Sequence, residues 1–434
     1  MEKIKLDAFR TGGLHGTIDV PGDKSISHRA LMIGAISEGQ TIINHFLWSQ
    51  DCRSTLDALR QLGVAIEEST TQVIVHGVGF GGFKAPEQPL EMGNSGTTTR
   101  LLMGLLAGTN FTSNLRGDES LSKRPMNRVA VPLSKMGAKI ETTKLGTLPA
   151  VIKGSKIHGI DIQLQVASAQ VKSAVIFAAL QADNPTTVIE KLPTRNHTEL
   201  MLRKFGADLT TESDQKTINI KPINNLRGQV VNVPGDISSA AFFLVAAAIV
   251  PNSKVLLKNV SLNPTRTGIL KVLKRMGANF KVVYKENTDE CYGDIEISTS
   301  NLTPIRITEN DIPALIDELP LVALLAACAD GVSEIRGAAE LRVKETDRIA
   351  TVTQELGKLG VLITELSDGM IIHGRKNWKI NTNELNSHGD HRIGMMLAVA
   401  ALRTDQELYL NDAAAIAVSY PSFFTDLKSL LRRS

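Results

Sequence analysis

The chain has 434 residues, more than one hydrophobic core usually serves, so two domains are the first expectation. Its 48 Lys and Arg against 45 Asp and Glu leave a net charge of +3, which excludes a global field for nucleic acid or an anionic membrane. Aromatic residues, at 4%, are too sparse for rows of base-stacking platforms, so any cationic function has to be local.

From Met1 to Gly16 charged and apolar residues alternate, without the apolar core of a signal peptide. Ala240 to Val250, the longest apolar run, is far short of a membrane span. Cys52, Cys291 and Cys328 stand far apart with no CxxC spacing and read as reduced packing residues. These features predict a soluble cytoplasmic protein without metal sites.

Along the chain two kinds of helix alternate. SHRALMIGAIS from 27 is apolar almost all round and predicts a buried helix. STLDALRQLGVAI from 54 is amphipathic, stops at Gly63 and passes into a strand. The pair recurs as SGTTTRLLMGLLAG from 95 with NRVAVPLSKMGAKI from 127, and as SAQVKSAVIFAALQA from 168 with TELMLRKFGADL from 198. It returns as SSAAFFLVAAAIV from 238 with TGILKVLKRMGANF from 267, and as LPLVALLAACA from 319 with IATVTQELGKLGVLI from 349. The sixth pair is DHRIGMMLAVAAL from 390 with Phe423 to Leu431, whose following strand is missing because the chain stops. The stop glycines Gly63, Gly137, Gly206, Gly277 and Gly360 lie 74, 69, 71 and 83 residues apart. Short β-rich runs between the helices complete an α/β unit copied six times.

Val20-Pro21-Gly22-Asp23 returns as Val233-Pro234-Gly235-Asp236, so the copies divide three and three. This predicts one domain over 22–232 and another over 1–19 plus 236–434, with hinge crossings near 17–22 and 231–236.

The buried helices open on polar turns: Gly22 to Ser25, Asn94 to Thr97, Ser168 to Gln170, Asp236 to Ser239, Asp317-Glu318 and His388 to Arg392. Helix N-termini attract phosphate and carboxylate, so six of them gathered at one cleft suit a polyanion. Ser, Asn and Asp there also serve as plain N-caps. Lys24, Arg29, Arg100 and Arg392 oppose the helix dipole, and the repetition of that choice argues for an anionic ligand. For Arg100 an internal ion pair explains the residue equally well. Two cationic loops follow, Ser122 to Met126, with Pro125 expected at the first helical position, and Arg342 to Arg348. The second pairs Lys344 with Glu345 beside Arg348, an arrangement suited to proton transfer next to an anion, although a solvated charged loop is the ordinary meaning of such a run.

VPGDKSISHR, GNSGTTTR, KRPM, SAQVK, LRVKETDRI and GDHRIGM resemble the 5-enolpyruvylshikimate-3-phosphate synthase family over essentially the whole chain. GDKS, SAQVK, RNHTE and NPTR look like its class II branch, which is associated with glyphosate tolerance. The resemblance implies the enolpyruvyl transferase fold, a two-domain inside-out α/β barrel of βαβαββ-like repeats, three per domain. It implies a monomer that moves the carboxyvinyl group of phosphoenolpyruvate to the 5-hydroxyl of shikimate 3-phosphate, with no cofactor, nucleic acid or membrane partner. Lys24, Ser25, Arg29, Ser168, Ala169, Gln170, Arg195, Asp317 and Lys344 match the family's acceptor positions. Lys24, Gly96, Arg124, Gln170, Arg348 and Arg392 match its donor positions. Lys24, Asp317 and Glu345 match the catalytic group, with Asp317 taking the hydroxyl proton and Glu345 serving the methylene carbon. On physical grounds the two carboxylates are expected to stand clear of the cations, since neutralisation would spoil them as base and acid.

Departures are local. The family's late Lys is Val418 here, an acceptor-site Asn is Glu340, a site Tyr is His197, and Gly96 is retained where some tolerant members carry Ala. Two other readings remain to be separated. UDP-N-acetylglucosamine enolpyruvyl transferase shares the fold and donor, but its loop Cys has no counterpart between Cys52 and Cys291. A noncatalytic repeat scaffold for nucleic acid conflicts with the modest charge.

Overall fold

The alternation of helix types follows from which faces carry apolar side chains. In the computed structural model, which describes residues 3–6, 12–285 and 290–431, the helices are α1 (Lys24–Ala35), α2 (Gln50–Gln61), α3 (Gly96–Leu106), α4 (Asn127–Lys135), α5 (Ala169–Ala179) and α6 (His197–Lys204). They continue as α7 (Ile237–Ile249), α8 (Gly268–Arg275), α9 (Leu319–Cys328), α10 (Arg348–Lys358), α11 (His391–Ala401) and α12 (Phe423–Leu430). The odd-numbered helices are buried almost all round; α7, for example, buries every residue except Ser239. The even-numbered ones bury a single stripe: in α2, Leu56 and Leu59 face inward while Arg53, Asp57 and Arg60 are exposed. Five of these stripes end at Gly63, Gly137, Gly206, Gly277 and Gly360, with φ of 89°, 98°, 100°, 80° and 86°. Only glycine takes that conformation freely, so the spacing in the sequence and the helix ends coincide.

The chain forms two units, Gly22–Val233 and Met1–Pro21 with Pro234–Ser434, each with its own hydrophobic core. In Gly22–Val233 the sheets follow one path. Leu90–Glu91 runs parallel to Thr112–Arg116, which pairs antiparallel with Ala150–Lys153, and that strand with Lys139–Glu141. Asp161–Gln163, Thr186–Ile189, Thr217–Ile220 and Leu209–Thr211 repeat the path. In the third sheet the parallel edge comes from the far end of the unit, where Leu226–Arg227 and Val230–Asn232 both lie beside Ser37–Asn44. Gln72–Val78 and Ala65–Glu68 complete it. In the first two sheets a buried helix, α3 or α5, links the parallel pair, giving the βαβαββ order. The central helices touch closely: a Cβ at Gly104 of α3 would lie 2.1 Å from the Ala174 carbonyl oxygen of α5, so no larger residue fits.

The other unit repeats the path with His15–Asp19, Lys254–Ser261, Tyr292–Ser298 and Asn279–Lys285. Arg306–Ile307, Gly331–Ile335, Gly369–Gly374 and Leu362–Leu366 follow it again. Its last sheet corrects the sequence reading. Glu384–Asn386 lies parallel to Tyr409–Asn411, and the strand expected to be missing is replaced by Lys3–Lys5, which pairs antiparallel with Tyr409–Asn411. Ile4 opposite Leu410 supplies the apolar contact. Phe423 of α12 then packs on Phe242 and Phe243 of α7, with ring centroids 5.9 and 5.8 Å apart. Each such buried ring stabilises the unit by roughly 1.5–3 kcal/mol.

Two smaller expectations also change. Pro125 does not open α4, because Met126 and Asn127 both donate their N–H to the Gly146 carbonyl and the helix begins at Asn127. Cys291 is exposed rather than packed, whereas Cys52 is buried and burial pushes the Cys328 thiol up to about 12. Among the described residues no helix is long and apolar enough to cross a membrane.

Candidate active site

In Gly22–Val233 the polar turns of α1, α3 and α5 are joined by side chains. Asp23 caps α1, accepting from Ile26 N at 2.9 Å, and Lys24 follows it with Nζ 2.9 Å from Asp51 Oδ2. Arg29 lies in the second turn, not the first. Its side chain folds back along the helix, donating to the Ser25 carbonyl at 3.0 Å, to Thr198 Oγ1 at 2.6 Å and to Ser173 Oγ at 2.8 Å. Arg195 donates to Ser25 Oγ at 3.5 Å. Ser168 caps α5, accepting from Val171 N at 3.4 Å, so Ala169 and Gln170 form that helix's first turn.

Arg100 also lies in a second turn and reaches back: Nη1 donates to Gln170 Oε1 at 2.6 Å, and Gln170 Nε2 donates to Thr97 Oγ1 at 2.9 Å. Arg124 donates to Asn94 Oδ1 at 2.6 Å. Both guanidinium groups stand beside Gly96, where an added Cβ would lie 2.9 Å from Arg100 Nη1 and 3.5 Å from Arg124 Nη1. Gly22–Val233 therefore brings Lys24, Ser25, Arg29, Ser168, Ala169, Gln170 and Arg195 into one connected group, with Gly96 and Arg124 next to Gln170's partner. Arg100 and Asp51 belong to it as well. Sequence reasoning left Arg100 undecided and passed over Asp51, whose pairing with Lys24 spans 27 residues and carries no local signal.

In the other unit Asp390 caps α11 through Arg392 N at 2.9 Å and binds Arg348 Nε at 2.7 Å. Arg348 Nη2 donates to Glu345 Oε2 at 2.7 Å, and its Nη1 is 3.8 Å from Asp317 Oδ1. Arg392 Nη2 is 3.7 Å from Asp317 Oδ2. The expectation that Asp317 and Glu345 stand clear of the cations is therefore wrong. A fully buried guanidinium without counter-charge costs several kcal/mol, of the order expected for an unpaired buried ion, so the nearest carboxylates gather on it. These carboxylates lie beside arginine, not away from it. Burial holds Lys344 below the ordinary lysine range, with Asp317, Glu340 and Glu345 opposing that shift. Arg342 takes no part in this group and is tied instead to Asp347 at 2.5 Å and Glu365 at 2.9 Å. Arg266, in the NPTR segment, is a buried addition: Nη2 donates to Ser238 Oγ at 2.8 Å, and Ser238 donates to Glu318.

The departures have plain places. Val418 is half-buried at the end of the short helical segment Ala413–Val418 and brings no cation. His197 is buried at the first position of α6, and Glu340 stands in the turn before Lys344.

Each unit thus gathers buried cations around helix N-termini, a setting that suits small anions, and in one of them two carboxylates lie beside the cations. The model of the EPSP synthase (3-phosphoshikimate 1-carboxyvinyltransferase) family matches residues 10–427. The chain belongs to that family. It is 58% identical over 430 residues to the 3-phosphoshikimate 1-carboxyvinyltransferase of Limosilactobacillus fermentum, covering 99% of each chain. Against the enzyme of the same name from Bacillus subtilis it is 50% identical over 435 residues, 99% of this chain and 100% of that one. The solved EPSP synthase of Acinetobacter baumannii matches with a TM-score of 0.86 at 43% identity, covering 99% of this chain and 98% of that chain. The enolpyruvyl transferase NikO of Streptomyces tendae matches at 0.77 and 17% identity over 97% and 96% of the two chains, a likeness of fold alone. Membership of the EPSP synthase family makes the chain a transferase with the enolpyruvyl transferase fold.

Proposed function

We propose that the chain transfers the carboxyvinyl group of phosphoenolpyruvate to the 5-hydroxyl of shikimate 3-phosphate, releasing phosphate. The observation that carries this reading is the grouping of Glu345 and Asp317 on Arg348, in a chain matched to the EPSP synthase family from 10 to 427. Asp317 takes the proton of the 5-hydroxyl as its oxygen bonds to C2 of phosphoenolpyruvate, while Glu345 delivers a proton to the methylene carbon. The C–O bond to phosphate then breaks and the proton held by Asp317 leaves with the phosphate, while the methylene carbon returns a proton to Glu345 and the double bond is restored.

Anchoring falls to the cations and to the polar groups and helix turns beside them. Lys24, Ser25, Arg29, Ser168, Ala169, Gln170, Arg195, Asp317 and Lys344 are assigned to shikimate 3-phosphate, and Lys24, Gly96, Arg124, Gln170, Arg348 and Arg392 to phosphoenolpyruvate. Each charge-assisted hydrogen bond contributes about 1.5–3 kcal/mol, enough in sum to hold two polyanions. The proposal includes a cytoplasmic location and a monomer, the second of which sedimentation at working concentration would check. Phosphate release, measured with phosphoenolpyruvate and either shikimate 3-phosphate or UDP-N-acetylglucosamine, tests the reaction. Release with the phosphorylated cyclohexene alone is expected; release with the nucleotide sugar alone would overturn it.

A further inference from the structure

Lys172 takes no part in the chemistry above, yet it is among the most deeply buried charges in Gly22–Val233. It sits one turn into α5 with its side chain 1% exposed. Its Nζ lies 2.7 Å from Glu199 Oε1 and 2.9 Å from Glu190 Oε2, and donates to the Thr194 carbonyl at 3.4 Å. Both carboxylates are equally buried. Glu190 accepts in addition from Thr194 N at 3.4 Å and from Thr194 Oγ1. Burial opposes the Lys172 ammonium, but Glu199 and Glu190 outweigh it and hold the group above its ordinary value. Apolar residues would pack such a place at lower cost, so three buried charges argue for a defined arrangement rather than for stability.

What they arrange is the segment between the strand Thr186–Ile189 and α6. Glu190 begins it, Thr194 stands within it, and Glu199 lies in the first turn of α6. Arg195 is the next residue after Thr194 and reaches Ser25 Oγ. On the other side Lys172 follows Ser168, Ala169 and Gln170 directly along α5. Its neighbour Ser173 is 2.6 Å from Thr198 Oγ1, and both accept from Arg29. We propose that Lys172 is a positioning residue for the acceptor's phosphate, locking the Arg195 segment against the N-terminus of α5 so that Arg195, Arg29 and Ser168 face one anion. This rests on the reading of shikimate 3-phosphate as acceptor. It also explains why SAQVK and RNHTE stand together in one chain: the Lys of the first and the Glu of the second are halves of one buried ion pair.

Titration calorimetry of shikimate 3-phosphate into the wild type, Lys172→Met, Arg195→Ala and the double variant tests the inference. If Lys172 acts through Arg195, Lys172→Met weakens binding about tenfold in the wild type but less than about twofold beside Arg195→Ala. Equal losses in both backgrounds, or none in the wild type, would overturn the inference while leaving the function intact. A wild type that does not bind shikimate 3-phosphate would instead overturn the functional reading, and this inference with it. Should Lys172→Met fail to fold, Glu199→Gln in the same two backgrounds gives the same comparison, and Lys172→Arg is expected to keep wild-type affinity within about threefold.

Discussion

Arg348 and Asp390 form a two-point pair: Nε donates to Oδ2 at 2.7 Å and Nη2 to Oδ1 at 3.1 Å, with neither side chain more than 1% exposed. Burial alone would raise the Asp390 carboxyl, but the Arg348 charge outweighs it and holds the group below its usual range. Asp390→Asn keeps the shape and removes the charge, leaving Arg348 with Glu345 at 2.7 Å and Asp317 at 3.8 Å. Breaking one side of a buried pair costs about 3–5 kcal/mol, so the urea midpoint should fall sharply. An unchanged midpoint would mean that Glu345 and Asp317 suffice to neutralise the guanidinium.

Gly96→Ala should separate stability from donor affinity. Its backbone φ lies outside the left-handed region, so alanine is tolerated and stability should move by less than about 1 kcal/mol. The new methyl would instead meet Arg100 Nη1, 2.9 Å away and held by Gln170. Shifting that pair should raise the KM for phosphoenolpyruvate about tenfold or more, the scale of one methyl in a filled pocket. Steady-state kinetics showing an unchanged KM would take Gly96 out of the donor group.

The repeat was legible because its signals are local. A glycine closing an amphipathic stripe, or a helix without a polar face, can be read within a dozen residues. The pairings were not. Arg348 meets Asp390 across 42 residues and Arg100 meets Gln170 across 70, so nothing nearby announces them. The positions of Glu345 and Asp317 were mistaken for a general reason. Reasoning about catalysis favoured free carboxylates, and the cost of a bare buried guanidinium decided otherwise. The N-terminal strand was missed because its partner, Tyr409–Asn411, lies at the other end of the sequence.

His28 sets an acid limb to stability. Its ring is buried, Nδ1 lies 2.7 Å from Thr55 Oγ1, and burial, with Lys24 and Arg29 adding to it against Asp51, pushes the imidazole down to about 3. Between about 6.5 and 3 the unfolded chain binds a proton that the folded one refuses, so stability falls as pH drops through that window. The slope from this group approaches about 1.4 kcal/mol per pH unit. His28→Asn should flatten it, and unfolding curves at about pH 7, 5.5 and 4, which span the upper part of that window, check the change. Parallel pH dependence in both proteins would clear His28 of the effect.

Asp317→Ala and Glu345→Ala should each lower turnover by about 10²–10⁴ while shikimate 3-phosphate affinity changes far less. They remove proton transfer and leave the cations in place. Freeing Arg348 from Glu345 should also tighten phosphoenolpyruvate binding in Glu345→Ala, since the anion no longer competes with a carboxylate 2.7 Å from Nη2. Near-wild-type turnover of either variant would remove that residue from the mechanism.

Lys344 should give acceptor binding an alkaline limit. Burial, with Arg348 adding to it, holds its ammonium below the ordinary 10.5, and Asp317, Glu340 and Glu345 recover only part of the shift. As pH rises through that lowered value the free protein loses the charge, and binding shikimate 3-phosphate must then take up a proton. Affinity should therefore decline with rising pH before an ordinary lysine would titrate, and the proton uptake should appear as a buffer-dependent enthalpy. Lys344→Arg keeps its charge throughout this range, so its affinity should stay level where the wild type falls. The arginine fork differs in shape from an ammonium, so the level itself is expected to be lower; the flat profile is the diagnostic. If Lys344→Arg and the wild type decline together with pH, another group sets the limit, and Lys344 binds the acceptor without titrating.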